Sequence, residues 1–252
     1  MKKSLLILLL LVSIKSTLEA STRSDVKMIE ASEKIRISSE RLAKEYLFYT
    51  MYQHKSEYRK KIETEVEIFE KSVRDIAFMT KHPKVKRLLE FFAYEKEQLK
   101  QYVKDVTDKD STLTVLDSSD AITEGAVNIG KLIAYDFSFE EKMLMSIKKI
   151  EFLFEKASKY YLVLDMDIDK ATFRKKMDEL IVEIDDELEA IKEYEYPDKH
   201  KQMKSDIFLF WGFVKEYYSN DKSQRLPNII LISQNGIKDI LNKIAEYHSS
   251  NQ

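Results

Sequence analysis

The sequence predicts an all-α protein, and two observations lead to that fold class. Four glycines and three prolines occur in 252 residues, whereas a protein built from sheets needs many such residues at its turns. Apolar residues recur three and four positions apart, the spacing that places them along one face of a helix. Two such series are Ile62, Val66, Phe69, Val73, Ile76 and Ala77, and Met177, Leu180, Ile181, Ile184, Leu188 and Ile191. We therefore expect helices throughout the chain after residue 20.

The first twenty residues have the composition of a secretory signal peptide. A basic start, Met1–Lys3, precedes a run of eight apolar residues, Leu5–Val12, which is too short to span a bilayer. The segment then becomes polar, and Ala20 is the predicted last residue before cleavage, with an uncleaved membrane anchor as the alternative. We predict that the protein is exported and is periplasmic or secreted.

Composition argues against several classes of partner and chemistry. The chain has no cysteine, so neither disulfides nor thiolate chemistry can contribute. Without Lys2, Lys3, Lys15 and Glu19 of the predicted signal peptide, the 42 basic and 44 acidic residues fall to 39 and 43, a net charge of −4. A weakly acidic protein gives no reason to expect nucleic acid or an anionic membrane as a partner.

Clusters of helix-breaking and polar residues predict where helices end. Pro83 biases the residue before it away from helical geometry, and Pro197 marks a second break of the same kind. The segment between Tyr135 and Glu141 is either a joint or part of a continuous helix. The predicted breaks are Lys81–Pro83, Thr107–Thr112, Tyr135–Glu141, Tyr194–His200 and Ser219–Asn228. We predict about four helices before Tyr135 and about four after it.

The chain resembles itself at a shift of 115 positions. Between Ile35–Ile62 and Ile150–Met177, ten of 28 pairs are identical without a gap, where average composition would give about two. The identities are Ile35/Ile150, Glu40/Glu155, Lys44/Lys159, Tyr46/Tyr161, Leu47/Leu162, Met51/Met166, Lys55/Lys170, Arg59/Arg174, Lys60/Lys175 and Lys61/Lys176. Chance similarity of amphipathic helices is the alternative. We predict two tandem units, residues 21–136 and 137–252, each an up-down four-helix bundle.

The first copy of this repeat carries a family motif. The stretch IEASEKIRISSERLAKEYL, Ile29–Leu47, resembles the first-helix motif of the NarX/PilJ-type sensor domain. That domain occurs in nitrate/nitrite sensor kinases and type IV pilus chemotaxis transducers, with the approximate pattern I-N-x-A-G-R-x-R-M-x-S-x-R-x-A-K. Its Ile, second Arg, Met, Ser, last Arg and Ala-Lys correspond to Ile29, Arg36, Ile37, Ser39, Arg41, Ala43 and Lys44. Its Asn, Ala, Gly and first Arg are replaced by Glu30, Ser32, Glu33 and Lys34, and in the second copy Glu151, Phe154 and Lys156 replace Arg36, Ser39 and Arg41.

The resemblance implies a ligand site on this helix. The helix would pair with its counterpart across a dimer, and Arg36, Ser39 and Arg41 would bind a small oxyanion such as nitrate or nitrite. Guanidinium groups suit such a ligand because they present several fixed donors to a planar anion. The residues themselves also allow a solvated helix face, since Arg36–Glu40 and Arg41–Glu45 are spaced as ion pairs along one helix.

We predict from this resemblance an exported sensory or ligand-binding protein that is not an enzyme and has no metal and no cofactor. Its expected partners are a small anion, a membrane-bound signalling or envelope protein, and a second copy through the first helix. If the two copies pack as a pseudo-dimer within one chain, Arg36 faces a helix bearing Glu151, whose charge opposes anion binding. The alternative function is that of a structural or adaptor protein that binds an envelope protein and has lost the ligand site.

Other groups of polar and aromatic residues favour structural roles. Asp165–Lys176 begins like a calcium loop, but Lys170 and Lys176 stand where glycine and glutamate are needed, so a helix face or kink is the better interpretation. Glu183–Glu195 alternates with apolar residues as a solvated helix face does. The four histidines include no Glu-x-x-His pair of a di-iron bundle. Aromatic residues around Trp211 predict the core of the second unit, with a partner-binding groove as the alternative.

Overall fold

The computed structural model describes residues 2–52, 55–104, 109–220 and 227–251, with side chains at most of these positions from residue 23 onward. Within this part of the chain there are eight α-helices and no strand, which confirms the all-α prediction. The helices are α1 (Lys2–Met51), α2 (Ser56–Met79), α3 (Pro83–Lys104), α4 (Lys109–Leu132), α5 (Phe139–Asp165), α6 (Lys170–Glu193), α7 (Asp198–Ser219) and α8 (Pro227–Ser250).

Proline and serine residues begin several of these helices. α3 starts at Pro83 and α8 at Pro227, the first-turn position at which a missing backbone N–H costs nothing. At the start of α5 the Ser138 hydroxyl accepts the backbone N–H of Glu141 at 3.3 Å, and the Glu141 carboxylate accepts the backbone N–H of Ser138 at 2.8 Å. The segment between α4 and α5 is therefore a joint. Residues 107–108 and 221–226, which belong to two predicted breaks, lie outside the described residues.

The predicted breaks include neither the connection between α1 and α2 nor that between α5 and α6, where the sequence allowed a helix face or a kink. In the second of these, Asp167 and Asp169 have positive φ angles of 61° and 37°. Aspartate is one of the few residues besides glycine that tolerates this left-handed region. The Asp169 carboxylate also accepts the backbone N–H of Thr172 and caps α6. The acids that resemble a calcium loop therefore form a turn and a helix cap.

The helices pack in a regular order. α1 contacts α2 and α4, and α3 contacts the same two helices; α5 contacts α6 and α8, and α7 contacts those two. α1 and α5 also lie against each other. Nearly every residue of Ile37–Tyr49 and Ile150–Leu164 is buried, whereas α2 and α6 each bury one stripe. A helix buried on all sides must be apolar or must pair its polar groups.

The apolar series read from the sequence form most of these stripes. All six predicted positions of α6 are buried, and on α2 only Val73 and Ala77 are not. Trp211 is buried against Phe154 and Tyr218, and its indole N–H donates to Asp185 at 2.7 Å. The aromatic residue at the centre of the predicted cluster thus belongs to the core.

The N-terminal segment continues directly into the first helix. α1 begins at Lys2, so its backbone passes through the predicted cleavage position at Ala20 without a break. No helix is long and apolar enough to cross a membrane in the part of the chain that the structure describes. The signal peptide and the exported location stay predictions.

Candidate functional site

Charged side chains lie inside the contact between α1 and α5. Glu40 and Lys44 are buried on α1, and Glu155 and Lys159 are buried on α5. In each pair the spacing of four residues places both side chains on the same side of the helix. A charge removed from water is costly unless it is paired. Each of these groups therefore needs an opposite charge nearby.

Two ion pairs cross this contact in opposite directions: in one the lysine lies on α1 and the glutamate on α5, and in the other the reverse holds. Lys44 Nζ donates to Glu155 Oε2 at 2.7 Å, and Lys159 Nζ lies 2.8 Å from Glu40 Oε2. Glu155 and Lys159 stand 115 positions after Glu40 and Lys44, so the second pair is the first with the helices interchanged. Such reciprocity arises when equivalent surfaces meet about a two-fold axis. The pair of Lys159 and Glu40 is completely buried, with both side chains 0% exposed.

Arg41 adds further pairs to the same contact. Its Nε donates to Glu155 Oε1 at 2.6 Å, and its Nη2 donates to Glu151 Oε1 at 2.5 Å, so both partners lie on α5. Glu65 of α2 lies 4.0 Å from Nη1. Three carboxylates of the chain therefore surround this guanidinium.

The pairing favours the charged forms of Glu155, Arg41 and Lys159. Burial raises the pKa of Glu155, but the positive charges of Lys44 and Arg41 outweigh it and lower that pKa to about 2. Burial lowers the pKa of Arg41, but the facing carboxylates, Glu155 first, raise it above its usual range. The pKa of Lys159 is raised in the same way, since Glu40 and Asp120 outweigh burial.

Arg36 and Ser39 lie in different surroundings from Arg41. Arg36 Nη1 lies 2.8 and 2.7 Å from the two carboxylate oxygens of Glu33, on its own helix. The guanidinium carbon of Arg36 lies 4.1 Å from the ring centre of Phe152 on α5, a cation–π contact. Ser39 is buried and donates to the backbone carbonyl of Ser119 on α4 at 3.1 Å, while the Ser119 hydroxyl donates back to the Ser39 carbonyl at 3.1 Å.

The three residues predicted to bind an oxyanion thus have three different sets of contacts. Arg36 contacts Glu33 and a ring of α5, Ser39 contacts the backbone of α4, and Arg41 contacts carboxylates of α5. The intrahelical pairs suggested by the sequence are replaced by others. Arg36 pairs with the glutamate three positions before it, and Arg41 pairs across to α5.

The residues that sequence reasoning missed are the carboxylates and lysines of the reciprocal pairs. A signal for them existed, because Glu40/Glu155 and Lys44/Lys159 are identities of the repeat. Charged residues that recur in both copies among apolar residues of a helix indicate that these side chains are buried and paired inside the protein. The sequence could not show that each lysine would meet the glutamate of the other copy.

Two grooves flank the contact between α1 and α5. One, of about 560 Å³, is lined by α1, α2, α5 and α8, and the other, of about 410 Å³, by α4, α5 and α6. Positions of the two grooves correspond at the same shift of 115: Arg41 and Lys156, Lys61 and Lys176, Thr64 and Glu179, Glu65 and Leu180, and Asn235 and Asp120. Both grooves contain lysines and carboxylates, so neither presents a single sign of charge.

A separate polar cluster joins the end of α8 to the start of α5. His248 is fully buried, with Nδ1 2.5 Å from Glu140 Oε2 and Nε2 2.9 Å from the Tyr196 hydroxyl. Both ring nitrogens are thus satisfied inside the protein. No group of three or more potential metal-ligating histidine or carboxylate side chains occurs among the described residues.

No family model matches the chain, and no curated protein and no solved structure matches it either. The resemblance of the first helix to the NarX/PilJ-type motif therefore stays a prediction.

Proposed function

We propose that the protein is an exported, non-enzymatic helical protein of the sensor type whose two tandem four-helix units are paired within one chain. The exchange of roles between the Lys44–Glu155 and Lys159–Glu40 pairs carries this proposal. Equivalent helices of the NarX/PilJ-type family, which the first helix resembles, pair between two chains. In this chain α1 and α5 would take the places of those two helices.

In this proposal ion pairs between α1 and α5 hold the two units together. We call this set the clamp: Arg41 with Glu151 and Glu155, Lys44 with Glu155, and Lys159 with Glu40. An anion that binds Arg41 must compete with Glu151 and Glu155, which already lie 2.5 and 2.6 Å from the guanidinium. These carboxylates belong to the same chain, so they lose little freedom on pairing and act at a high effective concentration. A dilute small anion is therefore a weak competitor for Arg41. The charged residues of α1 instead stabilise the contact between the two units.

Rescue by small anions tests the clamp. Glu155→Ala removes the carboxylate that Arg41 and Lys44 share, and the loss should destabilise the protein by about 3–5 kcal/mol. Acetate or nitrate should restore part of this loss by occupying the vacated space, whereas the wild type should respond to them no more than to chloride. Thermal unfolding followed by circular dichroism at constant ionic strength measures this. Glu183→Ala, at a partly exposed position of α6, is the matched control and should show no rescue.

One result would contradict the clamp directly. If nitrate or nitrite raises the unfolding midpoint of the wild type while chloride does not, and Arg41→Ala abolishes the difference, Arg41 belongs to an open oxyanion site. The predicted ligand-binding role of Arg36, Ser39 and Arg41 would then replace the structural one.

An adaptor function is the second candidate, and exposed apolar residues favour it. Leu209 and Phe213 lie four positions apart on α7 and are 74% and 48% exposed. An apolar strip of this kind fits the apolar face of a helix from an envelope protein. In a pull-down from the envelope fraction, the wild type should retain one identified partner protein. The double variant Leu209→Ser, Phe213→Ser should no longer retain that partner. Val182→Ser, at another exposed apolar position, should retain it. Equal recovery by all three proteins would exclude the strip.

A further inference from the structure

The first four helices form a cavity of about 380 Å³ that opens to solvent on one side and that the ionic contact does not use. Its inner wall is apolar and comes from all four helices: Leu42 and Tyr46 of α1, Ile62 and Val66 of α2, Leu99 of α3 and Val115 of α4. All six side chains are buried. A concave space of this size with an apolar inner wall is a candidate binding pocket.

The two copies of the repeat differ in the α3 and α7 residues at corresponding positions. At the shift of 115, Trp211 and Tyr218 of α7 correspond to Lys96 and Val103 of α3. In the second unit both aromatic side chains are buried, and the Tyr218 ring lies 5.8 Å from that of Tyr161, the counterpart of Tyr46.

The first unit has no such rings at these positions of α3. Lys96 directs its ammonium to Glu70 at 3.1 Å and to Glu97 at 2.9 Å. These positions of α3 therefore supply no aromatic ring to Tyr46 of the cavity wall, whereas its counterpart Tyr161 has Tyr218 of α7.

Charged residues at the rim of the cavity indicate the head group of a ligand. Glu63 lies 3.3 Å from Arg59, and Glu70 lies 2.8 Å from Lys100, so each of these acids has a basic partner. Glu67 also lines the rim and is exposed, and it forms no ion pair within the described residues. Since the other two acids are paired, Glu67 is the rim carboxylate left for a cationic group of a ligand.

We propose that this cavity binds a small hydrophobic amine, with the apolar body among the four helices and the ammonium group beside Glu67. The volume lies in the range of about 300–1,000 Å³ that is typical of small-molecule sites, and an apolar wall with few polar groups is their usual composition. The site is independent of the proposed clamp, since none of its lining residues takes part in the pairs between α1 and α5.

Three probes with the same apolar body test the proposal: 4-phenylbutylamine, 4-phenylbutan-1-ol and 4-phenylbutyrate. Titration of the full chain by calorimetry, supported by ligand-observed NMR, should give saturable binding of the amine. The alcohol should bind about five-fold more weakly, the scale of one exposed ion pair, and the carboxylate more weakly still. No saturable binding of the amine, or equal binding of all three probes, would overturn the proposal.

Variants locate the site. Val66→Phe fills the cavity and should weaken amine binding at least about ten-fold, while the unfolding midpoint does not fall, because filling a void removes no contact. Val182→Phe makes the same change at a position of α6 that is 58% exposed and should leave binding unchanged. If Val66→Phe fails to fold, Val115→Phe fills the cavity from the opposite wall and replaces it. Unchanged binding by a folded cavity-filling variant would exclude the cavity.

The head group has its own pair of variants. Glu67→Gln should remove most of the preference for the amine over the alcohol, and Glu90→Gln, at an exposed position of α3 outside the rim, should keep it. A preference that survives Glu67→Gln would refute the assignment of the ammonium position. Glu155→Ala should retain amine binding if the variant is folded, so failure of the clamp and failure of this site are separately observable.

Discussion

Replacing Lys159 by methionine isolates the energetic weight of a fully buried charge pair. Lys159 and Glu40 are both 0% exposed with 2.8 Å between Nζ and Oε2, and Nζ also lies 2.8 Å from Oδ1 of the partly exposed Asp120. Methionine keeps the length of the apolar stem but removes the charge. Glu40 then stays in the core with the Thr123 hydroxyl, 3.2 Å away, as a neutral donor. Removing one member of a buried pair costs about 3–5 kcal/mol.

Urea unfolding followed by circular dichroism measures this loss in Lys159→Met, Glu40→Gln and the double variant. In thermal unfolding, Lys159→Met alone should lower the midpoint of a chain of this size by about 6–20 °C. The double variant should recover most of the loss, because uncharged groups of similar volume often replace a buried ion pair without net cost. The slopes of the urea transitions should stay equal, which shows that the same surface is exposed on unfolding.

Lys176→Met is the matched control for the loss of a lysine. Its Nζ lies 3.6 Å from Oδ2 of the same Asp120, and both side chains are partly exposed. That pair should contribute less than about 1 kcal/mol. The reasoning is refuted if Lys159→Met costs no more than Lys176→Met, or if the double variant is as unstable as the sum of its single changes.

Three further predictions follow from the same structure. The pKa of Glu155 is depressed to about 2 in the folded protein. The ionised carboxylate therefore contributes fully to the free energy of unfolding above the unfolded pKa near 4.5, and this contribution is lost as the pH falls toward 2. Urea titrations at several pH values should show the loss of stability, and Glu155→Gln should make the stability less dependent on pH. Gly125→Ala places a Cβ 2.6 Å from an aromatic carbon of α3 and should cost about 1–3 kcal/mol, whereas Gly212→Ala meets nothing within 4 Å and should be neutral or stabilising by up to about 1 kcal/mol in thermal unfolding. Tyr196→Phe leaves buried His248 Nε2 without its 2.9 Å partner and should cost about 1–3 kcal/mol by the same measurement.

Helix content and several helix boundaries could be predicted from the sequence because they depend on local chemistry. Pro83 begins a helix at the position where a proline is least costly, and the stripe on α6 follows directly from helical spacing. The turn at Asp167 and Asp169 was missed, since no glycine or proline marks it and aspartates occur equally well on a solvated helix face. The local sequence therefore does not distinguish a turn from a solvated helix face at these positions.

The predicted oxyanion site stays a prediction, while the sequence named some residues of the contact between α1 and α5 without assigning them that role. The sequence identified Arg36, Ser39 and Arg41 through a motif and showed that Glu40 and Lys44 recur as Glu155 and Lys159. It could not choose their partners, because Glu33, Glu40 and Glu45 lie within about one turn of Arg36 or Arg41 on the same helix and compete with acids of other helices. In the structure Arg41 pairs with α5 instead, at 2.5 and 2.6 Å.

By itself the sequence determined that the chain is helical and that a segment of α1 recurs in α5 with its glutamate and lysine retained, because both properties are periodic along the chain. Only the tertiary structure decided what those charges do. Once α1 and α5 are buried against each other, water can no longer solvate Lys44, Glu40 or Lys159, and each must take the opposite charge that the neighbouring helix presents. That partner is set by the packing of helices 115 residues apart, which no local pattern encodes.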